Sequence, residues 1–223
     1  MALIAAVDPC RSGTPADLAF LVDDLELYNV ATPERAVRHV RAAVARQLDI
    51  RWSNAERRQR SADIIRARCS FHVLSPMVEA CFFGEPASLA RAGAKLPPVF
   101  DPRAHDVEAF TTDDPAFLAP ADGKHPVWAK PDRARHPKCY VRFLCDPAGG
   151  SPRAYRETKE GHGALSALDW PCVLGPGAHA RFARSFLVDL AEGLDRPDVA
   201  ALFQSERHSL TSRNAQDNVL RNI

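Results

Sequence analysis

The stretch Cys69-Ser70-Phe71-His72-Val73-Leu74 decides the fold, because it is a short apolar run that ends at the turn residues Ser75-Pro76. Such a run is typical of a strand buried in a sheet. Leu3–Val7 is a second short apolar run, and Asp8-Pro9 ends it. Helical patterns separate the two runs, and parallel strands require a crossover of this kind. The sequence therefore predicts an α/β fold: a small parallel sheet flanked by helices, with a helical C-terminal half.

Three helices are predicted between these two runs. Thr14-Pro15-Ala16-Asp17 has an N-cap residue, a proline at the first helical position and an acid in the first turn, and Thr32-Pro33-Glu34 repeats the pattern. Apolar residues at helical spacing follow each start: Leu18, Leu21, Val22 and Leu25, then Val37, Val40, Val44 and Leu48. A third helix is predicted over Asn54–Arg68. On this interpretation Asp23 and Asp24 lie on the first helix and face water.

Residues 97–137 differ from the rest of the chain because they contain eight prolines, which excludes long helices. Aromatic residues in this stretch predict that it packs against the protein. Helices are predicted again from His136-Pro137-Lys138, near Glu160 and over Ala178–Leu194. We therefore expect one domain over residues 1–223, made of three parts: an α/β core (1–96), a packed proline-rich insertion (97–135) and a helical part (136–223).

Composition excludes several classes of protein. The chain of 223 residues has a formal net charge of +1, so no global field favours nucleic acid or a membrane surface. It has no apolar run long enough to span a membrane and no basic n-region of a signal peptide, which predicts a cytoplasmic protein. The six cysteines form no CxxC pair, so neither a zinc knuckle nor a redox pair is indicated.

Charge is uneven along the first third of the chain. Residues 1–32 hold one arginine against five acidic residues, and residues 33–68 hold ten arginines against four acidic residues. This pattern fits a metal site beside a phosphate-binding face. It also fits the solvated side of an amphipathic helix, which is the commoner case. The arginines concerned are Arg35, Arg38, Arg41 and Arg46.

Two carboxylates follow the predicted strands, and they are the candidate catalytic and metal-binding residues. Asp8 follows Leu3–Val7 directly, and Glu79 follows Cys69–Leu74 after a short turn. Strand-end carboxylates at one edge of a sheet can hold Mg²⁺, which prefers oxygen ligands. A strand-end aspartate can instead cap a turn.

His136 and Lys138 are candidate substrate-binding residues, since with Tyr155 and Glu157 they could contact a phosphate or act as acid and base. The alternative is that His136 only begins a helix at Pro137.

Four sequence segments resemble those of a known group of proteins. They are the stretch from Ser75 to Leu89, His136-Pro137-Lys138-Cys139-Tyr140, Tyr155-Arg156-Glu157-Thr158 and Ala167-Leu168-Asp169-Trp170. Together they resemble uncharacterised bacterial proteins with a TOPRIM-like core, over residues 69–223.

The resemblance implies a nuclease-like domain that uses a glutamate, an Asp-x-Asp pair and magnesium, often with a partner ATPase of a defence system. Glu79 would match the late acid and Asp8 the first aspartate of the pair. Cys10 stands where the second aspartate should be, and the earlier glutamate strand would have to precede Met1. Two functions follow: a metal-dependent phosphodiester hydrolase acting on nucleic acid with an incomplete acidic site, or an inactive binding or regulatory subunit that works with a partner protein such as an ATPase.

Overall fold

The computed structural model describes most of the chain, namely residues 2–7, 14–119, 126–175, 179–203, 207–212 and 218–223. It confirms an α/β fold with a small parallel sheet and a helical C-terminal half. The chain divides into two compact units: the sheet unit (1–74 and 181–223) and the helical unit (75–180). The single domain expected over residues 1–223, with its internal boundaries, stays a prediction.

Two strands and ten α-helices are described. The strands are β1 (Ala19–Asp24) and β2 (Cys69–Leu74). The helices are α1 (Ala2–Val7), α2 (Glu34–Arg51), α3 (Ala55–Arg68), α4 (Pro86–Arg91), α5 (Pro115–Leu118), α6 (Pro137–Cys145), α7 (His162–Ser166), α8 (Trp170–Val173), α9 (Arg181–Gly193) and α10 (Pro197–Phe203). None of these helices is long and apolar enough to cross a membrane.

The prediction that Leu3–Val7 forms a strand is wrong, because these residues lie in the helix α1. A short apolar run has no periodicity that separates a strand from a buried helix, and alanine, which supplies two of its five residues, favours the helix. The side chain of Val7 is buried in the core of the sheet unit.

The first strand is instead β1, within the stretch that the sequence predicted as a helix starting at Thr14. β1 pairs in parallel with β2, in a register that sets Ala19 opposite Cys69 and Asp24 opposite Leu74. Pairing with the buried strand β2 satisfies the backbone N–H and C=O groups of β1. This stabilisation comes from a distant part of the chain, so the local sequence of β1 does not reveal it.

The crossover from β1 to β2 contains the helices α2 and α3, which are the second and third of the three helices that the sequence predicts. Asn54 caps α3, because its side-chain oxygen accepts a hydrogen bond from the backbone nitrogen of Arg57 at 2.9 Å. The buried sides of the two helices meet both strands in one core. Its buried members from the crossover and β2 are Val37, Val44, Leu48, Ile65, Cys69, Phe71 and Val73.

The C-terminal segment completes the other edge of β2. Arg221 donates its backbone N–H to the carbonyl of Cys69 at 2.7 Å. The side-chain amide of Asn222 accepts from the backbone nitrogen of Phe71 at 3.0 Å and donates to its carbonyl at 2.6 Å. These bonds satisfy backbone groups that a third strand would otherwise pair, so β2 is bonded on both edges.

The helical unit is built around an aromatic cluster, with neighbouring ring centroids 4.7–6.1 Å apart. The rings belong to Phe83, Phe100, Phe110, Phe117, Trp128, Tyr140 and Phe143. Four of them come from residues 97–135, and three of these four, Phe110, Phe117 and Trp128, are buried. Tyr140, Phe143 and Leu144 are buried and form the core side of α6.

Replacement of Asn222 by alanine should destabilise the protein by about 2–4 kcal/mol, because it leaves the buried N–H and C=O of Phe71 without their partner. Urea unfolding followed by circular dichroism measures this change. Asn222→Asp, which keeps the acceptor but loses the amide donor, should still destabilise. The control Gln47→Ala, which removes an amide from the half-buried surface of α2, should cost less than about 0.5 kcal/mol. Equal effects of Asn222→Ala and Gln47→Ala would show that the C-terminal segment does not support β2.

Candidate functional site

The carboxyl end of β1 carries a group of acidic side chains. Asp23 and Asp24 are the last two residues of the strand. Glu26 lies two residues further along the chain, and its backbone has a positive φ of 62°. A positive φ is uncommon for a residue other than glycine, and here it sets the direction in which the chain leaves the strand. The interpretation that Asp23 and Asp24 lie on a helix is therefore wrong. They occupy the strand-end position that the sequence assigned to Asp8.

A cavity of about 620 Å³ opens beside these acids, within the size range of small-ligand sites. One wall is acidic and the other, formed by α2, is basic. The charged residues of the two walls are Asp23, Asp24 and Glu26, and Arg35, Arg38 and His39. We call this the charged cavity. Val40 contributes apolar surface, and the buried ring of Phe71 lies beneath the cavity floor. Tyr28, which is 78% exposed, stands at its edge.

The two walls do not neutralise each other. Arg35, Arg38 and His39 stand at spacings of three and four residues, so they share one exposed face of α2. Among the described residues, none of these three side chains forms an ion pair, and neither does Asp23 or Glu26. The charges of Asp23, Arg35 and Arg38 are exposed to solvent, and that of Glu26 is partly exposed, so a ligand can reach them.

Glu79 lies in the helical unit, in a 3₁₀ segment over Val78–Gly84, with only 1% of its surface exposed. Its Oε1 accepts a hydrogen bond from the hydroxyl of Tyr155 at 3.0 Å, and Nζ of Lys138 lies 4.0 Å from the same oxygen. Burial, and then the carboxylate of Glu79, raises the pKa of Tyr155, so this hydroxyl stays protonated and donates. The structure thus brings together two of the predicted site residues, Glu79 and Lys138.

Lys138 also connects Glu79 to the surface. Its Nζ lies 3.3 Å from Glu157, which pairs with Arg142 at 3.5 Å. Tyr155 is held closely, because a Cβ on Gly161 would lie 2.6 Å from its hydroxyl oxygen. The arrangement is a packed network in which the charge of Glu79 is compensated within the helical unit.

His136 caps α6, as the helix-start interpretation expects. Its Nδ1 accepts a hydrogen bond from the backbone nitrogen of Cys139 at 3.4 Å. Burial, and then the neighbouring cations Lys130, Lys138 and Arg142, lower the pKa of His136 to about 4. The ring is therefore neutral at pH 7 and can act as the acceptor. Substrate binding by His136 and Lys138 stays a prediction.

Asp8 and Cys10 lie outside the described residues, so the expected approach of Asp8 to Glu79 stays a prediction. That approach was expected because both acids would follow neighbouring strands, and Leu3–Val7 is not a strand. Among the residues that the structure describes, no group of three or more His, Cys, Asp or Glu side chains could hold a metal ion. Since Mg²⁺ takes about six oxygen ligands and Glu79 is already bonded to Tyr155, the described donors do not fit a magnesium site.

A second buried polar network lies in the sheet unit, and sequence reasoning missed it. Nε2 of His72 lies 3.1 Å from one carboxylate oxygen of Asp189, and Arg221 donates to the other oxygen at 3.1 Å. All three side chains are buried, so solvent and ligands do not reach them. The network ties β2, α9 and the C-terminal segment together and has a structural role.

Comparison of the chain with family models, with curated proteins and with solved structures finds no match. The resemblance to TOPRIM-like proteins therefore stays a prediction, and the site rests on its own geometry.

One sequence signal could have located the charged cavity. Ala19-Phe20-Leu21-Val22 is an apolar run that leads into Asp23-Asp24, as Leu3–Val7 leads into Asp8. The signal is ambiguous because Leu18, Leu21, Val22 and Leu25 also fit a helical period.

A double-mutant cycle tests the contact between Tyr155 and Glu79. Tyr155→Phe should destabilise the protein by about 1–3 kcal/mol, since it removes the hydroxyl that donates to a buried carboxylate. In a Glu79→Gln background, where that charge is absent, the same change should cost at least about 1 kcal/mol less. Urea unfolding of the four proteins gives the coupling energy. Additive effects would show that the two side chains do not interact.

The pH dependence of stability tests the state of His136. Because its pKa is about 4 in the folded protein and about 6.5 in the unfolded chain, the unfolded chain binds more protons between these values. The contribution of His136 is therefore fully present above about pH 6.5 and is lost as the pH falls towards 4, by about 2–3 kcal/mol. His136→Asn keeps a capping side chain that does not titrate and should remove this part of the pH dependence. Identical pH profiles for the two proteins would contradict a neutral, buried His136.

Proposed function

We propose that the protein is a binding or regulatory subunit that works with a partner protein, and that the charged cavity of the sheet unit is its binding site. The observation that carries the proposal is a cavity with an acidic wall at the end of β1 and a basic wall on α2, both in the sheet unit. Carboxylates accept hydrogen bonds and guanidinium groups donate them, so the two walls recognise different groups of one ligand.

The scaffold supports this role because it fixes both walls before a ligand arrives. The acidic wall is the end of a strand paired along its length, and Leu25, just beyond it, donates its backbone N–H to the carbonyl of Leu74 at 2.9 Å. The basic wall is the exposed face of α2, whose opposite face is anchored in the core by Val37 and Val44. Because the backbone of both walls is held in this way, only the exposed side chains lose conformational freedom when a ligand binds.

The second candidate is the metal-dependent phosphodiester hydrolase with Asp8, Glu79 and magnesium, acting on nucleic acid beside a partner ATPase. One observation favours it: β1 ends in the consecutive carboxylates Asp23 and Asp24. Strand-end acids of this kind occur in magnesium sites. Since the described donors do not fit such a site, we derive no catalytic step from them.

A hydrolysis assay separates the two functions. Plasmid DNA incubated with the full chain and Mg²⁺ or Mn²⁺ should stay intact, because the proposed function requires no phosphodiester cleavage. The variants Asp8→Asn, Asp23→Asn and Glu79→Gln should behave like the unaltered protein. Asp49→Asn, which changes an exposed acid of α2 outside the cavity, is the matched control.

Cleavage that depends on the metal, is lost in any of the three test variants and survives in Asp49→Asn would overturn the proposed function in favour of the hydrolase. Isothermal titration with Mn²⁺ is the companion measurement. Tight binding of Mn²⁺ that disappears in Glu79→Gln would also favour the hydrolase over the proposed function.

A further inference from the structure

The charges of the cavity identify the kind of ligand. The carboxylates of Asp23 and Glu26 on one wall favour a cation, and the guanidinium groups of Arg35 and Arg38 on the other favour an anion. A polyanion such as single-stranded nucleic acid would gain from the basic wall but would be repelled by the acidic one. A ligand that carries both charges, one for each wall, satisfies both.

The exposure of the cavity identifies the source of those charges. Asp23, Arg35, Arg38 and His39 are all exposed, and Tyr28 stands in solvent at the edge. Small-molecule sites bury most of the surface of their ligand, which needs an enclosed pocket. A segment of a protein chain needs cover on one side only. Val40, which is half-buried on α2, offers apolar surface to the aliphatic stem of such a segment.

We infer that the charged cavity binds a peptide segment of a partner protein in which a basic and an acidic side chain lie close together. The basic side chain contacts Asp23 and Glu26, and the acidic side chain contacts Arg35 and Arg38. Tyr28 offers an aromatic face to the segment. This inference rests on the proposed function and adds the chemistry of the partner.

Blocked peptides test the inference, because their charges come from side chains alone. The test peptide is acetyl-Arg-Gly-Gly-Glu-amide, and its controls replace either the arginine or the glutamate by glutamine. Titrations of the ¹⁵N-labelled full chain give the affinity and the location of binding. The dipolar peptide should bind about tenfold more tightly than either control, since each wall discriminates one charge. The shifted resonances should belong to residues 20–40.

Variants of each wall make the test specific. In Asp23→Asn the preference for arginine over glutamine in the peptide should fall to about twofold or less, while the preference for glutamate should remain. In Arg38→Glu the preference for glutamate over glutamine in the peptide should fall, while the preference for arginine should remain. Arg46→Glu changes the same face of α2 outside the cavity and is the matched control, with affinity within about twofold of the unaltered protein. The dispersed amide spectrum of each variant reports that it is folded.

Several results would overturn the inference. Equal affinity for the three peptides would mean that the walls do not select charge, and an equal loss in Arg38→Glu and Arg46→Glu would mean a diffuse field. Tighter binding of 6-aminohexanoate, a free dipolar molecule, would indicate a metabolite site. Tighter binding of an oligothymidylate would indicate a nucleic-acid surface. None of these results involves phosphodiester cleavage, so they are distinguishable from a failure of the proposed function.

Discussion

The parallel pairing of β1 with β2 is the constraint on which the rest of the sheet unit depends. Two strands alone do not make a stable sheet in water, so the pair must be supported from outside. The crossover helices cover it with an apolar core, and the C-terminal segment bonds the second edge of β2 through Arg221 and Asn222. The buried ion pair between Asp189 and Arg221 holds that segment in place. Strand, crossover and C-terminal segment therefore stabilise one another.

The charged cavity is a consequence of that pairing. Since the register sets Asp24 opposite Leu74, β1 ends with its acidic residues at a fixed position. The buried face of α2 likewise fixes the direction of its exposed basic face. The separation of the two walls is thus held by the backbone and the core, and only the exposed side chains have to be ordered when a ligand binds. Glu79 illustrates the opposite case, because Tyr155 and Lys138 within the helical unit already compensate its charge.

The sequence predicted the parts of the fold that depend on local chemistry. β2, α2 and α6 with its His136 at the helix start follow from apolar runs and helix-start residues. The position of β1 could not be predicted in the same way, because Leu18, Leu21, Val22 and Leu25 fit a helix, and only pairing with β2 makes the strand the better conformation. The contact of His72 with Asp189 joins residues 117 positions apart, and no spacing rule reports it.

The most direct test of this account is the pattern of nuclear Overhauser effects over residues 18–25 of the ¹⁵N/¹³C-labelled protein. If Ala19–Asp24 is a strand that pairs in parallel with Cys69–Leu74, strong sequential Hα–HN contacts should run along it, and contacts across the strands should join Leu21 to the region of Phe71. Contacts between residues three and four apart, with none to β2, would show a helix instead. That result would move Asp23 and Asp24 off the strand end and remove the charged cavity.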